Sequence, residues 1–399
     1  MNTETQSGIS SFNFRSFQPG LEGLRGIAII LVFMRHYGGG SHGSSLVQLI
    51  NAVREAGWIG VNVFFALSGF LITGILWDTR ADQHYFRNFY VRRWLRIAPV
   101  YYLALLIVLG LTPVLGLVWH WQQLAYPLYL SNFLGAEFWC ISSSDGHPCV
   151  EFGHFWSLAV EEQFYLIWPF LVFAIGSRVK LIRLCAIALL VCLVARMAVL
   201  WISPTEATAA YVRRLLIFQV DALLSGAAVA LLLRGENAAL WMQKIRTFFP
   251  YFLLATVILS YWGGHHYTPI IAETIYTTVV DITSAMFVGL AVSDGSRTKA
   301  ALSFKPLRRI GRYSYGMYVF HILPRQYTIP MLPWFQKITH SFALGGLLHV
   351  ATVFTAAFLV AALSYELIER RVLSLKKYFE YPMPQAGKPP DWAPEEQAA

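Results

Sequence analysis

The chain has 399 residues, of which 56% are hydrophobic and only 13% charged, with a mean hydropathy of +0.50. A soluble domain carries about 25% charged residues, so the composition excludes that class and predicts an all-α, polytopic integral membrane protein. The net charge of +9 would suit a nucleic-acid partner, but the basic residues cluster between apolar stretches, and no nucleic acid is expected.

Residues 1–20 (MNTETQSGISSFNFRSFQPG) are polar and have neither an apolar core nor a small-residue cleavage site, so they read as a cytoplasmic segment and not a signal peptide. About ten transmembrane helices follow, near 21–40, 58–76, 97–118, 154–175, 181–202, 212–233, 248–263, 272–292, 313–335 and 342–366. The seventh and eighth are weakest, because Gly263, Gly264, His265 and His266 break the pattern between them. The ninth contains Pro324, Pro330 and Pro333, which predict a kink or a break. Ten spans put both termini on one side. Every Lys and Arg except Arg35, Arg54, Arg196, Arg213, Arg214, Arg325 and Lys337 falls on that side, which the positive-inside rule assigns to the cytoplasm. Residues 21–370 thus form the membrane domain, in a bacterial cytoplasmic membrane, and 371–399 are expected to be a largely disordered cytoplasmic tail.

The first span carries Arg25 and His36, eleven residues apart. Eleven steps of a helix make three turns plus ~20°, so both side chains share one face ~16 Å apart. An Arg costs about 2.5–3.5 kcal/mol in hydrocarbon, so the pair predicts a protein-lined polar path. A snorkelling Arg and a His bonded to a neighbouring helix are the plainer alternative. In the second span, GVNVFFALSGFLIT (Gly60–Thr73) interleaves Asn62, Ser68 and Gly69 with apolar residues. Small residues predict close helix packing and would permit a homo-oligomer, with Asn62 a possible ligand contact. FRNFYVRRWLRIAPVYY then sets Arg87, Arg92, Arg93 and Arg96 among aromatics. Guanidinium groups bind phosphate and rings stack on a nucleobase, while an interfacial helix on anionic membrane lipid explains the segment equally well.

The loop of about 119–153 has no Lys or Arg but contains Cys140 and Cys149, a disulfide candidate in an exported loop. In the fourth span, FWSLAVEEQFYLIWP holds Trp156, Ser157, Glu161 and Glu162; Arg196 and Asp221 of the next two spans fall at a depth similar to that of His36. Such groups at one level can line a water-filled cavity, and a His beside a carboxylate can activate a hydroxyl. A structural cluster of Asp221 with Arg196 or Arg214 is the alternative. His321 in the ninth span is read as a helix-to-helix hydrogen bond or a second polar contact. No metal-ligand spacing and no glycine-rich phosphate loop is visible, so no metal is assigned.

Together LEGLRGIAIILVFMRHY, GVNVFFALSGFLIT, FYVRRWLRIAPVYY, FWSLAVEEQFYLIWP, VDALLSG and YSYGMYVFHI resemble, in order, the membrane acyltransferase-3 family, whose members acylate sugars and other hydroxyl compounds. The family's Arg–His pattern lands on Arg25 and His36, its basic motif on Arg92, Arg93 and Arg96, and its acidic motif on Glu161 and Glu162. The resemblance implies transfer of an acyl group, acetyl above all, from cytoplasmic acyl-CoA to a carbohydrate or similar hydroxyl acceptor at the outer face. Arg25, Arg92, Arg93 and Arg96 would hold the nucleotide. His36 would be the general base, oriented by Glu161 or Glu162. Asn62, Trp156, Ser157, Asp221 and Arg196 would contact the acceptor. Direct transfer is favoured, with an acyl-His36 intermediate left open. The hydrolase-like domain that many relatives carry is not expected in so short a chain. A secondary transporter, or a non-catalytic subunit of an envelope complex, is the competing reading.

Overall fold

The computed structural model describes residues 18–37, 54–266 and 269–381. The chain runs through α1 (Pro19–Tyr37), α2 (Ile59–Asp78), α3 (Tyr85–Leu115), α4 (Phe155–Ile175), α5 (Arg178–Ile202), α6 (Glu206–Val212), α7 (Leu216–Leu232), α8 (Ala238–His266), α9 (Thr277–Val292), α10 (Arg297–Leu302), α11 (Lys305–Phe320), α12 (Met331–Thr339) and α13 (Phe342–Ser364). Apolar segments of this length bond every backbone N–H and C=O within themselves, as hydrocarbon demands. Both α3 and α4 stop at a glycine in the left-handed region, Gly116 (φ 56°) and Gly176 (φ 59°), which caps the last carbonyls without a Cβ clash.

By length and composition, six helices among the described residues can cross a membrane, or seven if α6 and α7, bent by 42°, count as one. That is fewer than the ten expected. The first segment, α1, carries Glu22, Arg25 and Arg35. The seventh, α8, has its apolar run bounded by Arg246 and the Gly263–His266 stretch. The ninth is broken: α11 has 16 residues and ends at Phe320, a four-residue helix (Arg325–Thr328) follows Pro324, and the nine-residue α12 follows Pro330. The expected N-terminal segment up to residue 17, the end of the first span at 38–40 and the tail from 382 lie outside the described residues.

Two boundaries differ in ways that matter for the site. The arginine-rich segment was expected ahead of the third span, but it is part of α3, so its side chains project from the bundle's own helix. The segment expected to begin the tail is helical from 371 to 379. It continues α13 through a π turn (Tyr365–Glu369), a short helix (Arg370–Ser374) and a 3-10 turn (Leu375–Phe379), and it docks on α3.

Close approach at glycines holds the bundle together. A Cβ at Gly69 of α2 would collide with the carbonyl of Leu223 in α7, and one at Gly226 of α7 with the carbonyl of Ala66 in α2. The two backbones touch where side chains are missing, which gives packing between helices that lipid alone would not drive. In the same way Gly311 of α11 meets the Glu22 carbonyl of α1. The loop between α3 and α4 carries a two-stranded hairpin, β1 (Cys140–Ile141) and β2 (Val150–Glu151), closed by a disulfide between Cys140 and Cys149 with Cα atoms 5.7 Å apart. Tyr327 Oη donates to Pro148 O (2.7 Å), and Arg325 pairs with Glu151 (3.1 Å), so this loop is tied to the chain that follows α11.

Candidate functional site

Five helices, α1, α2, α3, α4 and α11, enclose a cavity with about 660 Å³ of empty volume, counting space continuous with solvent. Arg25, Arg93 and Arg96 line one end, Ser68, Glu161, Ser314 and Tyr315 the middle, and Ser157 and Tyr318 the other end. The walls between are apolar: Val61, Phe64, Phe65, Ile97 and Leu158.

The arginine end is only partly neutralised. Glu161 accepts a hydrogen bond from Ser68 Oγ. Arg93 lies 3.9 Å from Glu162 through its Nε, and its guanidinium sits 3.7 Å from the Tyr165 ring centroid, in stacking contact. Arg25 and Arg96 make no hydrogen bond or ion pair among the described residues. Two unpaired guanidinium groups in a cleft away from bulk water are unfavourable, and an anion bound between them would offset that cost.

The opposite end is built from hydroxyls and imidazoles. Ser157 Oγ and Tyr318 Oη are 2.5 Å apart, and both reach the backbone carbonyl of His154, at 3.1 and 3.2 Å. Behind them stand three histidines, with ring centroids 5.0 Å apart for His154–His321 and 5.1 Å for His36–His321. A ring nitrogen facing a carbonyl oxygen must carry the proton. This assigns N–H to His36 Nδ1 (2.9 Å from Val32 O), His321 Nδ1 (2.7 Å from Tyr318 O) and His154 Nε2 (3.1 Å from Val319 O). His321 Nε2, 3.3 Å from His36 Nδ1, is then an acceptor, and the basic nitrogen of His36 is Nε2. Because three of these nitrogens are spent on carbonyls, the trio does not converge on a metal. Among the described residues no group of three or more His, Cys, Asp or Glu is arranged to hold one. Arg325 Nε donates to the His36 carbonyl (3.1 Å) while its Nη1 holds Glu151, linking the disulfide hairpin to the end of α1.

Several residues singled out from sequence meet here, and others do not. Arg25, Arg93, Arg96, Ser157 and Glu161 line the cavity, and Glu162 is beside it. His36 lies beyond the cavity's end, and its ring bonds to His321 and Val32 O, not to Glu161 or Glu162. Those carboxylates stay among the arginines, because the face of α4 that carries them turns toward α2 and α3. Arg92 points away from the cavity and donates to the carbonyls of Lys376 (3.1 Å) and Phe379 (3.2 Å). Trp156 packs edge-on against Phe65, at 6.0 Å, behind the cavity wall.

Asn62, Arg196 and Asp221 form a separate buried cluster. Arg196 pairs with Asp221 (2.7 Å) and donates to Phe218 O (2.9 Å) and Thr278 Oγ1 (2.8 Å), while Asn62 Nδ2 donates to Asp281 Oδ1 (2.6 Å). The structural alternative for Asp221 and Arg196 describes this cluster, and neither residue reaches the cavity. Sequence reasoning missed His154 and Tyr318. A signal existed for His154, which sits three residues before Ser157 where the fourth span begins.

The family described as Acyltransferase domain matches residues 18–366. The chain belongs to the membrane acyltransferase-3 family. It is 28% identical over 395 residues to the peptidoglycan O-acetyltransferase OatA of Listeria monocytogenes, covering 89% of this chain and 56% of that protein. To YrhL of Bacillus subtilis, provisionally assigned the same activity, it is 28% identical over 382 residues, covering 89% and 54%. A Staphylococcus aureus protein provisionally named an O-acetyltransferase is 27% identical over 179 residues, 43% of this chain and 28% of that one. The chain therefore spans about half the length of the first two relatives. No solved structure matches it. Every residue lining the cavity lies within the acyltransferase-3 match, whereas the segment docked on α3 lies beyond residue 366.

Proposed function

We propose that this chain is a membrane O-acyltransferase that moves an acyl group, acetyl in the first place, from acyl-coenzyme A to a hydroxyl of a carbohydrate. One observation carries the reading: a single cavity joins guanidinium groups, two of them unpaired among the described residues, at one end to the hydroxyls of Ser157 and Tyr318 at the other, with the histidines just behind them. The relatives support acetyl as the acyl group and a sugar polymer such as peptidoglycan as the acceptor. With about ten crossings and the positive-inside rule, the arginine end faces the cytoplasm and the histidine end faces outward.

Arg25, Arg93 and Arg96 bind the phosphates of the donor, and its pantetheine arm runs along the apolar walls, over a distance like the ~16 Å between Arg25 and His36. The thioester then arrives at Ser157 and Tyr318, whose hydroxyls turn to donate to its carbonyl oxygen as negative charge develops there. His36 Nε2 removes the proton from the acceptor hydroxyl as that oxygen attacks the thioester carbon. The C–S bond breaks, the leaving thiolate takes the proton back from His36, and the products are an O-acyl ester and free coenzyme A. His321, holding the Nδ1–H of His36, sets the tautomer that leaves Nε2 basic. Reacting atoms must come within ~3–3.5 Å, so the acceptor hydroxyl has to sit between His36 Nε2 and a thioester held at Ser157 and Tyr318. No step uses a metal ligand from this chain.

The test is thiol release from acetyl-coenzyme A by purified protein, with soluble peptidoglycan fragments as acceptor. Acceptor-dependent release is expected from wild type and not from His36→Ala, which keeps its donor affinity. A folded wild-type protein that binds neither acetyl- nor longer acyl-coenzyme A would return the chain to the transporter reading.

A further inference from the structure

The segment after α13 lies outside both the family match and the chemistry above, yet α3 grips it firmly. Arg92 Nη1 donates to the carbonyls of Lys376 and Phe379, and Asn88 Nδ2 donates to that of Glu380 at 3.3 Å. The guanidinium of Arg87 stands 5.9 Å from the Phe379 ring centroid, and that of Arg92 stands 5.6 Å from that of Tyr381. These contacts take hold of backbone and rings, and they leave the lysine side chains of the segment uncommitted.

The grip has an electrostatic consequence. Lys377 is exposed, and its ammonium lies 5.0 Å from the ring centroid of its neighbour Tyr378. Lys376 is half-buried, and Arg92, which holds its carbonyl, stands one turn of α3 before Arg96 on the same helix face, so the lysine sits beside the arginine end of the cavity. The carboxylates in the same neighbourhood are Glu161 and Glu162 beside Arg93, and the buried Glu369 beside Arg96. Lys376 with the cavity-lining Arg25, Arg93 and Arg96 thus sets four cationic side chains against three carboxylates, an excess of one positive charge. A lysine held beside the three arginines of the cavity's end runs against like-charge repulsion unless an anion sits among them. Arg25 and Arg96, which have no ion pair of their own among the described residues, point to the same anion.

We propose that Lys376 is a phosphate ligand: with Arg25 and Arg96 it holds a diphosphate-bearing molecule, and the segment Arg370–Phe379, fixed by Arg92, forms the floor of that site. Resting on the coenzyme A reading above, this assigns the donor's diphosphate to a site shared by α1, α3 and the C-terminal segment. Lysine suits the role as a mobile point charge, completing a pocket whose fixed directions come from the arginines. A lipid phosphate is the other source of the same chemistry.

The experiment is calorimetric titration of the full chain in neutral detergent with coenzyme A, comparing wild type with Lys376→Ala, Lys376→Arg, Lys377→Ala and Arg96→Ala. Lys376→Ala is expected to weaken binding about tenfold, with Lys376→Arg recovering most of it and Lys377→Ala matching wild type. An unchanged thermal transition together with the Lys376→Arg rescue separates this from misfolding. If Lys376→Ala binds like wild type while Arg96→Ala does not, the segment is not part of the site and the donor reading stands. If wild type does not bind coenzyme A, the donor reading itself fails. Repeating the titration in phosphatidylcholine vesicles with and without phosphatidylglycerol tests the lipid. Should Lys376→Ala remove only competition by phosphatidylglycerol and leave coenzyme A affinity intact, the site belongs to a lipid headgroup and the nucleotide assignment is overturned.

Discussion

Replacing Arg196 by Met distinguishes a residue that holds the bundle together from one that binds a substrate. The Arg196 side chain is 0% exposed and that of its partner Asp221 2%, with 2.7 Å between them. Without the guanidinium, the Asp221 side chain keeps, among the described residues, the hydrogen bond from its neighbour Ala222 N at 3.1 Å, and the Phe218 carbonyl loses its side-chain donor. Breaking a buried pair by removing one partner costs about 3–5 kcal/mol, against about 0–1 kcal/mol for an exposed pair. At about 2 °C per kcal/mol, the unfolding transition of Arg196→Met in detergent should fall by roughly 6–10 °C. Adding Asp221→Asn removes the stranded charge and should recover a substantial part of the loss. Coenzyme A affinity, measured by calorimetry below the transition, should not change in either variant, because neither residue lines the cavity. A stable Arg196→Met protein that loses donor affinity would refute the reasoning, and so would a double variant no more stable than the single one.

Arg96→Ala should weaken coenzyme A binding about 10–100-fold in the same titration, the range for losing a charge-assisted contact; an unchanged affinity would contradict the anion-binding end. His36→Ala should lower kcat at least about 10²-fold with donor affinity intact. His321→Ala should also lower kcat and spare donor affinity, since it acts through the orientation of His36; equal loss of both would point to general unfolding instead. Cys140→Ser opens a loop whose cysteines are nine residues apart, which corresponds to about 2.5 kcal/mol on the chain-entropy account. The wild-type unfolding transition should drop on reduction to that of the variant, while the variant should not respond to reductant.

Hydropathy made most helices legible, because crossing hydrocarbon is a local demand that each segment meets alone. It failed where segments are amphipathic. The first turns of α3 and the stretch after residue 370 carry enough charge to resemble interface or tail, and only their packing on one another makes them part of the fold. The candidate site was legible in its residue types and less so in its partnerships. Arg92 and Arg93 are neighbours in sequence, yet ~100° of helix rotation sends one to the C-terminal segment and the other to the cavity. Depth along the helix nominated Glu161 or Glu162 as partner for His36, but the partner is His321, at the C-terminal end of α11 and 285 residues further along the chain.

By itself, the sequence determined the membrane class, the family and the helix on which each ionisable group rides, since these depend on composition and local order. Tertiary structure decided which of those groups share a site. Distance along a helix is one coordinate; the face a side chain presents and the helix it meets are set by packing at positions such as Gly69 and Gly226, where backbones of distant segments touch.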